Sequence, residues 1–253
     1  MSSPLLHNPT LEGGPFSWGS GTTGVLLFHG FTATTADVRP LAKLFHEAGL
    51  TVSGPLLPGH ATSPDDLNRV SWREWMAEAE RSYALLQGRC ERVFVGGESM
   101  GAVIALGLAA RHPEIAGVLC YAPAIKLALT ALATLKLRLA SAFVPQIARE
   151  SLDCSDTWQG YPGLPLKGAV QLLRLQEAVL RGLADIRQPV LVIQGRRDTT
   201  IDPRAGEIIF AAIRSDDRRH HWMERSSHAV TLDHDLDEVA RISLDFIASA
   251  TQP

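Results

Sequence analysis

The chain has 253 residues, of which 45% are apolar and 20% charged, with a formal net charge of −3. That length and apolar content suit one large domain, or a domain with an insert, around a true core. The charge balance leaves no electrostatic footprint for nucleic acid, and three scattered cysteines (Cys90, Cys120 and Cys154) exclude a disulfide framework.

In chain order, residues 1–14 lack a basic segment followed by an apolar one, so no secretory signal is expected. Residues 25–28 predict a buried strand, 36–48 a helix closed by Gly49, 52–57 a second strand and 72–87 an amphipathic helix. Residues 92–96 read as a β-branched and aromatic strand, 102–113 as an apolar helix ended by Pro113, and 118–121 as a strand holding Cys120 as packing. Residues 124–144 are the most apolar stretch, but Lys126, Lys136 and Arg138 interrupt it, which a membrane span would not carry. An amphipathic helix is expected there, with Leu129, Leu132, Leu135, Leu139 and Phe143 on one stripe. From 124 to 186 the pattern is helical without a convincing strand. We therefore expect an inserted helical cap at 124–186, within a core formed by 1–123 and 187–253. Strands at 189–195 and 221–224 and helices at 204–213 and 237–250 complete the chain. Apolar strands alternating with helices predict an α/β fold with a mostly parallel sheet covered on both faces.

Gly97-Glu98-Ser99-Met100-Gly101 lies between the 92–96 strand and the apolar helix, the context of a nucleophile elbow. Such a turn exposes the serine hydroxyl and demands very small residues two before and two after it, where glycine supplies backbone freedom and room. A serine needs a base, and the base an orienting carboxylate. In an open α/β sheet these groups gather beyond the carboxyl ends of the strands. Asp198 follows the 189–195 strand; Asp202, just before Pro203, suits a helix cap better. His228 follows the 221–224 strand, with His234 as runner-up, while His46, His112, His220 and His221 read as surface positions. Two backbone N–H groups are needed for an oxyanion, and Met100 and Phe31 (after His29-Gly30) are placed to supply them. His29 reads as a brace for that loop. No histidine pair or cysteine cluster has metal-site spacing, so no metal and no cofactor is expected.

With these residues placed, the chain resembles the bacterial carboxylesterase and monoacylglycerol lipase family of the α/β-hydrolase superfamily over nearly its whole length. The resemblance rests on Leu27-Phe28-His29-Gly30-Phe31-Thr32, Ala36-Asp37-Val38-Arg39, Leu57-Pro58-Gly59-His60 and the elbow. It continues in Gln194-Gly195-Arg196-Arg197-Asp198 and in Ser226 to Asp233. It implies Ser99 as nucleophile, Asp198 as acid, His228 as base, Phe31 and Met100 as oxyanion donors, and a cap that shapes the acyl pocket. Two positions depart from the family pattern: Ala102 replaces a second glycine, and Glu98 stands where leucine or histidine is common. A carboxylate there is either a surface group or one that raises the histidine pKa.

The activity implied is hydrolysis of carboxylic esters with short-to-medium acyl chains, without a cofactor, nucleic acid or integral membrane segment. Monoacylglycerols are the alternative substrates. A thioesterase, and a ligand-binding member of the fold that does not turn over, remain open. His29, Phe143, Trp158 and Leu164 are candidates for contacting substrate. Asp153 and Asp156 either meet glycerol hydroxyls or are solvated loop charges. The cysteines read as reduced thiols of a cytoplasmic protein.

Overall fold

Strands with no solvent-facing side pair in parallel and are covered by helices, and the apolar runs of this chain do so. The structure, a computed structural model, describes residues 5–148 and 156–251; Asp153 and Cys154 lie outside them. The strands are β1 (Phe16–Trp18), β2 (Thr23–Phe28), β3 (Thr51–Gly54), β4 (Arg92–Glu98), β5 (Gly117–Tyr121), β6 (Gln146–Ala148), β7 (Gly163–Pro165), β8 (Val190–Gly195) and β9 (Arg218–Met223). The helices are α1 (Arg39–Glu47), α2 (Pro64–Leu67), α3 (Trp72–Gln87), α4 (Met100–Ala109), α5 (Ala131–Ala140), α6 (Leu166–Gly182), α7 (Ala205–Ala212) and α8 (Leu236–Thr251).

Seven strands form one sheet in the order β1-β3-β2-β4-β5-β8-β9. Only the edge pair β1–β3 is antiparallel; the other pairs run parallel. Helices cover both faces, with α1 packed on α8 and with α3, α4 and α6 packed together. Every residue of α4 is buried, which explains why its sequence is apolar all round rather than amphipathic.

Local chemistry corrects several predicted boundaries. The helix expected at 36–48 is two elements. Thr34 caps a short 3-10 turn at Thr35–Asp37, accepting from the Ala36 N–H, and Pro40, lacking an N–H, sits in the first turn of α1. The strand expected to reach residue 57 stops at Gly54, before Pro55, which has no N–H to donate. Within residues 124–186, where no strand is expected, β6 and β7 form an antiparallel pair of three residues each.

The larger correction concerns α5. Most of its predicted apolar stripe faces solvent: Leu132, Leu135 and Leu139 are exposed and Phe143 is 88% exposed, while Leu129, ahead of the helix, lines a cavity. Leu137, off that stripe, is the residue that packs against the core. By contrast, α6 lies against α3 and α4 and buries Leu172, Leu175 and Val179. Residues 159–161, just before β7, are also fastened to the loops after β2 and β3. The Thr34 N–H donates to the Gln159 carbonyl, the Tyr161 N–H to the Thr32 carbonyl, and the Tyr161 hydroxyl to the Gly59 carbonyl at 2.7 Å.

Candidate active site

The parallel sheet aims the carboxyl ends of β2, β4, β8 and β9 at one rim, and Phe31, Ser99, Met100, Asp198 and His228 all lie just beyond them. At the end of β4 the chain turns sharply into α4. Ser99 sits in the turn at φ 55°, ψ −109°, a strained conformation for a residue with a Cβ. Its N–H donates to the Tyr121 carbonyl and its carbonyl accepts from Ala124, so β5 and its loop hold the strain in place.

The flanking glycines act through space, and neither has a positive φ: the described glycines with positive φ are Gly19, Gly49 and Gly59. A Cβ on Gly97 would lie 2.4 Å from the Phe28 carbonyl oxygen, and one on Gly101 would lie 2.0 Å from it. The elbow is therefore pressed against the end of β2. That contact is what demands glycine; backbone freedom is used by Ser99 itself.

The structure brings three of the predicted residues into one chain of hydrogen bonds. Nε2 of His228 is 2.9 Å from the Ser99 hydroxyl, and its Nδ1 is 2.8 Å from Asp198 Oδ2. With Nδ1 protonated against the carboxylate, Nε2 is left to accept from the serine. The other oxygen of Asp198 accepts the N–H groups of Thr200 and Ile201, which fixes the carboxylate's direction. The Asp198 side chain is 3% exposed, so this pair is well screened from water.

The competing residues go elsewhere. Asp202 pairs with Lys126 and Arg204, which hold its carboxyl below the usual range. Arg196 pairs with Glu224 and lies over the Trp222 ring, leaving Asp198 to the histidine. His234 is exposed beside Asp233.

Around the oxyanion position, Met100 is the first residue of α4, where a helix leaves its N–H without an intrahelical acceptor. Gly30 faces the serine: a Cβ there would be 3.6 Å from Ser99 Cβ. Phe31 follows it and lines the cavity. His29 is fully buried. Its Nε2 accepts from the Leu57 N–H and its Nδ1 meets the Gly30 carbonyl, so it braces the loop and is absent from the cavity wall. Burial lowers its pKa to about 4.

A cavity of about 480 Å³ opens over Ser99 and His228. Its apolar wall includes Leu127, Leu129, Leu137, Trp158, Leu164 and Leu172. Trp158 and Leu164 thus stand where a substrate would lie, whereas Phe143 projects into solvent and is not part of the wall. Asp156 is exposed and also outside it.

Sequence reasoning missed a buried polar cluster beside the nucleophile. Glu98 is 2% exposed, which removes the surface alternative. Its Oε2 accepts the N–H of Thr231, three residues after His228, and lies 2.8 Å from the Thr231 hydroxyl, while Asp37 Oδ2 accepts the Gly30 N–H at 2.8 Å. The only hint in the sequence is a carboxylate at the elbow where an apolar residue is usual. Among the described residues no group of three His, Cys, Asp or Glu side chains is arranged to hold a metal ion, and no helix is long and apolar enough to cross a membrane.

Comparison with known proteins agrees with this architecture. Residues 22–235 match the family model Hydrolase_4, described as serine aminopeptidase, S33. The chain is 33% identical over 241 residues to a thermostable monoacylglycerol lipase of Bacillus sp. (strain H-257), covering 95% of this chain and 96% of that one. It is 28% identical to a carboxylesterase of Bacillus subtilis (strain 168), covering 92% and 95%. A solved structure described under "LipS and LipT, two metagenome-derived lipolytic enzymes" superposes with a TM-score of 0.86 at 30% identity, covering 94% of this chain and 98% of that one. Matched along most of its length by the family model and by full-length relatives, the chain belongs to the Hydrolase_4 family of serine hydrolases with the α/β-hydrolase fold.

Proposed function

We propose that this hydrolase is a serine carboxylesterase that cleaves carboxylic esters of short-to-medium acyl chains through an acyl-enzyme on Ser99. The observation that carries this reading is the Ser99–His228–Asp198 hydrogen-bond chain opening directly into an apolar cavity. In the first step His228 Nε2 takes the Ser99 proton as the serine oxygen attacks the ester carbonyl. The oxyanion rests on the N–H groups of Phe31 and Met100. His228 then returns the proton to the departing alcohol. Water, deprotonated by the same imidazole, attacks the acyl-enzyme, and collapse of the second tetrahedral intermediate frees the acid. Asp198 holds the tautomer and stabilises the imidazolium; no cofactor enters.

Residues 124–186 form the cap over the core of 1–123 and 187–253 in this reading, supported by the cavity-wall residues they contribute, from Leu127 to Leu172. A second reading, monoacylglycerol hydrolysis, is favoured by the similarity to the Bacillus monoacylglycerol lipase. The test is hydrolysis of p-nitrophenyl esters from acetyl to palmitoyl beside 1-monoacylglycerols, with Ser99→Ala as control. Loss of turnover in the variant supports the serine mechanism, and the preferred substrate decides between the two readings. Turnover that survives Ser99→Ala would remove Ser99 as nucleophile. The buried free thiols Cys90 and Cys120 support a cytoplasmic location, which cell fractionation checks against cytosolic markers.

A further inference from the structure

Three loops must keep register for the proposed chemistry: the oxyanion loop after β2, the elbow after β4 and the histidine loop after β9. Two buried carboxyls sit where they meet. Asp37, 2% exposed, accepts the N–H of Gly30, immediately before the Phe31 donor. Glu98 Oε2 lies 2.8 Å from the Thr231 hydroxyl, and the same hydroxyl lies 2.8 Å from the Asp37 carbonyl. Glu98 Oε1 is buried, and no donor group faces it. The Thr231 hydroxyl has one proton for two oxygens at 2.8 Å, and the Asp37 carbonyl can only accept, so a proton on Glu98 Oε2 completes the contact, whereas a charge beside the unpartnered Oε1 would be costly.

We propose that Glu98 is held protonated and, through the Thr231 hydroxyl that also meets the Asp37 carbonyl, positions the oxyanion loop against the elbow and the histidine loop. Burial first, then the charge of Asp37, push the Glu98 pKa well above the usual carboxylate range, against the lowering bonds from Thr231. The other titratable groups around Glu98 are Asp198, beyond β8, and Tyr121 on β5, whose hydroxyl is engaged by Ser243. Both add negative or neutral surroundings, so neither favours an ionised Glu98. Glu98 is a positioning residue in this account, and its role rests on the serine-hydrolase reading above.

The test compares Glu98→Gln with Glu98→Ala and wild type, reading kcat and KM on a p-nitrophenyl ester and thermal midpoints from about pH 5 to about pH 8. Glutamine offers the same acceptor and donor as a protonated glutamic acid. It is expected to hold kcat within about threefold of wild type, while alanine loses about 100-fold in kcat with KM little changed, as for a misplaced oxyanion donor. A raised folded pKa means that the native state binds more protons than the unfolded chain above the ordinary carboxylate pKa. The contribution of Glu98 to wild-type stability therefore shrinks as pH rises, and the midpoint of Glu98→Gln should gain on wild type from acid to neutral pH. That comparison stands even if Glu98→Ala fails to fold. Glu98→Gln losing kcat as far as alanine does, or losing stability relative to wild type as pH rises, would mean an ionised Glu98 and would overturn the proposal. Activity that survives in Ser99→Ala would instead sink the serine mechanism while leaving the midpoint comparison intact.

Discussion

Ser99 at φ 55° and the two glycines beside it show how a single position can be strained so that another can be close. The serine bears the unfavourable backbone angle, and its hydroxyl is thereby presented to His228 at 2.9 Å. The glycines let α4 start against the Phe28 carbonyl. Gly101→Ala should destabilise the protein by about 3 kcal/mol or more, because a methyl 2.0 Å from a strand carbonyl cannot be relieved by a rotamer change. Urea unfolding measures it, and an unchanged midpoint would refute the contact. Asp198→Asn should keep the fold and lower kcat by about 10⁴-fold, since an amide can settle the histidine in the wrong tautomer. Steady-state kinetics with a circular-dichroism control checks that outcome, and a loss below tenfold would argue against Asp198 as the orienting acid.

Among the elements, α5 separates what periodicity tells from what it does not. The stripe Leu132, Leu135, Leu139 is real, but a repeat says only that one face is apolar, not which neighbour it meets. Here it meets water, and Leu137 on another face reaches the cavity. Leu137→Asp should raise KM for medium-chain p-nitrophenyl esters about tenfold, the cost of losing one leucine's apolar contact, whereas Leu135→Asp leaves it near wild type. Equal effects at the two positions would place the acyl chain elsewhere. The pair β6 and β7 was not legible either, because three-residue strands carry too little pattern to register. Trp72–Gln87 was legible to the residue: Glu74 accepts the Ser71 N–H at its start, and Gly88 closes its end.

For the whole molecule, most of the fold was legible because buried parallel strands announce themselves as unbroken apolar runs. Ser99 and Asp198 were legible because each lies just past such a strand; His228 follows the polar, half-buried β9 and was legible from its place in the loop before the last helix and from chain order. The Asp37–Glu98–Thr231 cluster was not, since Asp37 lies beyond β2, Glu98 ends β4 and Thr231 lies beyond β9, and only the folded sheet brings them together. Burial of ionisable groups also sets the pH response. The His29 pKa falls from 6.5 to about 4, and burial lowers that of His60 as well. Between those pH values the unfolded chain binds protons that the native state refuses, so stability drops as pH falls from 6.5 toward 4. His29 alone accounts for about 3 kcal/mol of that loss. His29→Gln should flatten the acid limb of a stability-against-pH curve from urea unfolding. An identical slope in the variant would mean that His29 takes its proton without unfolding.

The central claim is that the ester is cleaved through a covalent bond to Ser99. Acid-quenched intact-mass analysis of the enzyme during turnover of a p-nitrophenyl ester, followed by peptide mapping, tests it directly. The account predicts a mass gain of one acyl group, localised to the peptide containing Ser99 and absent in Ser99→Ala. Adduct on another residue, or an adduct undiminished in Ser99→Ala, would contradict it.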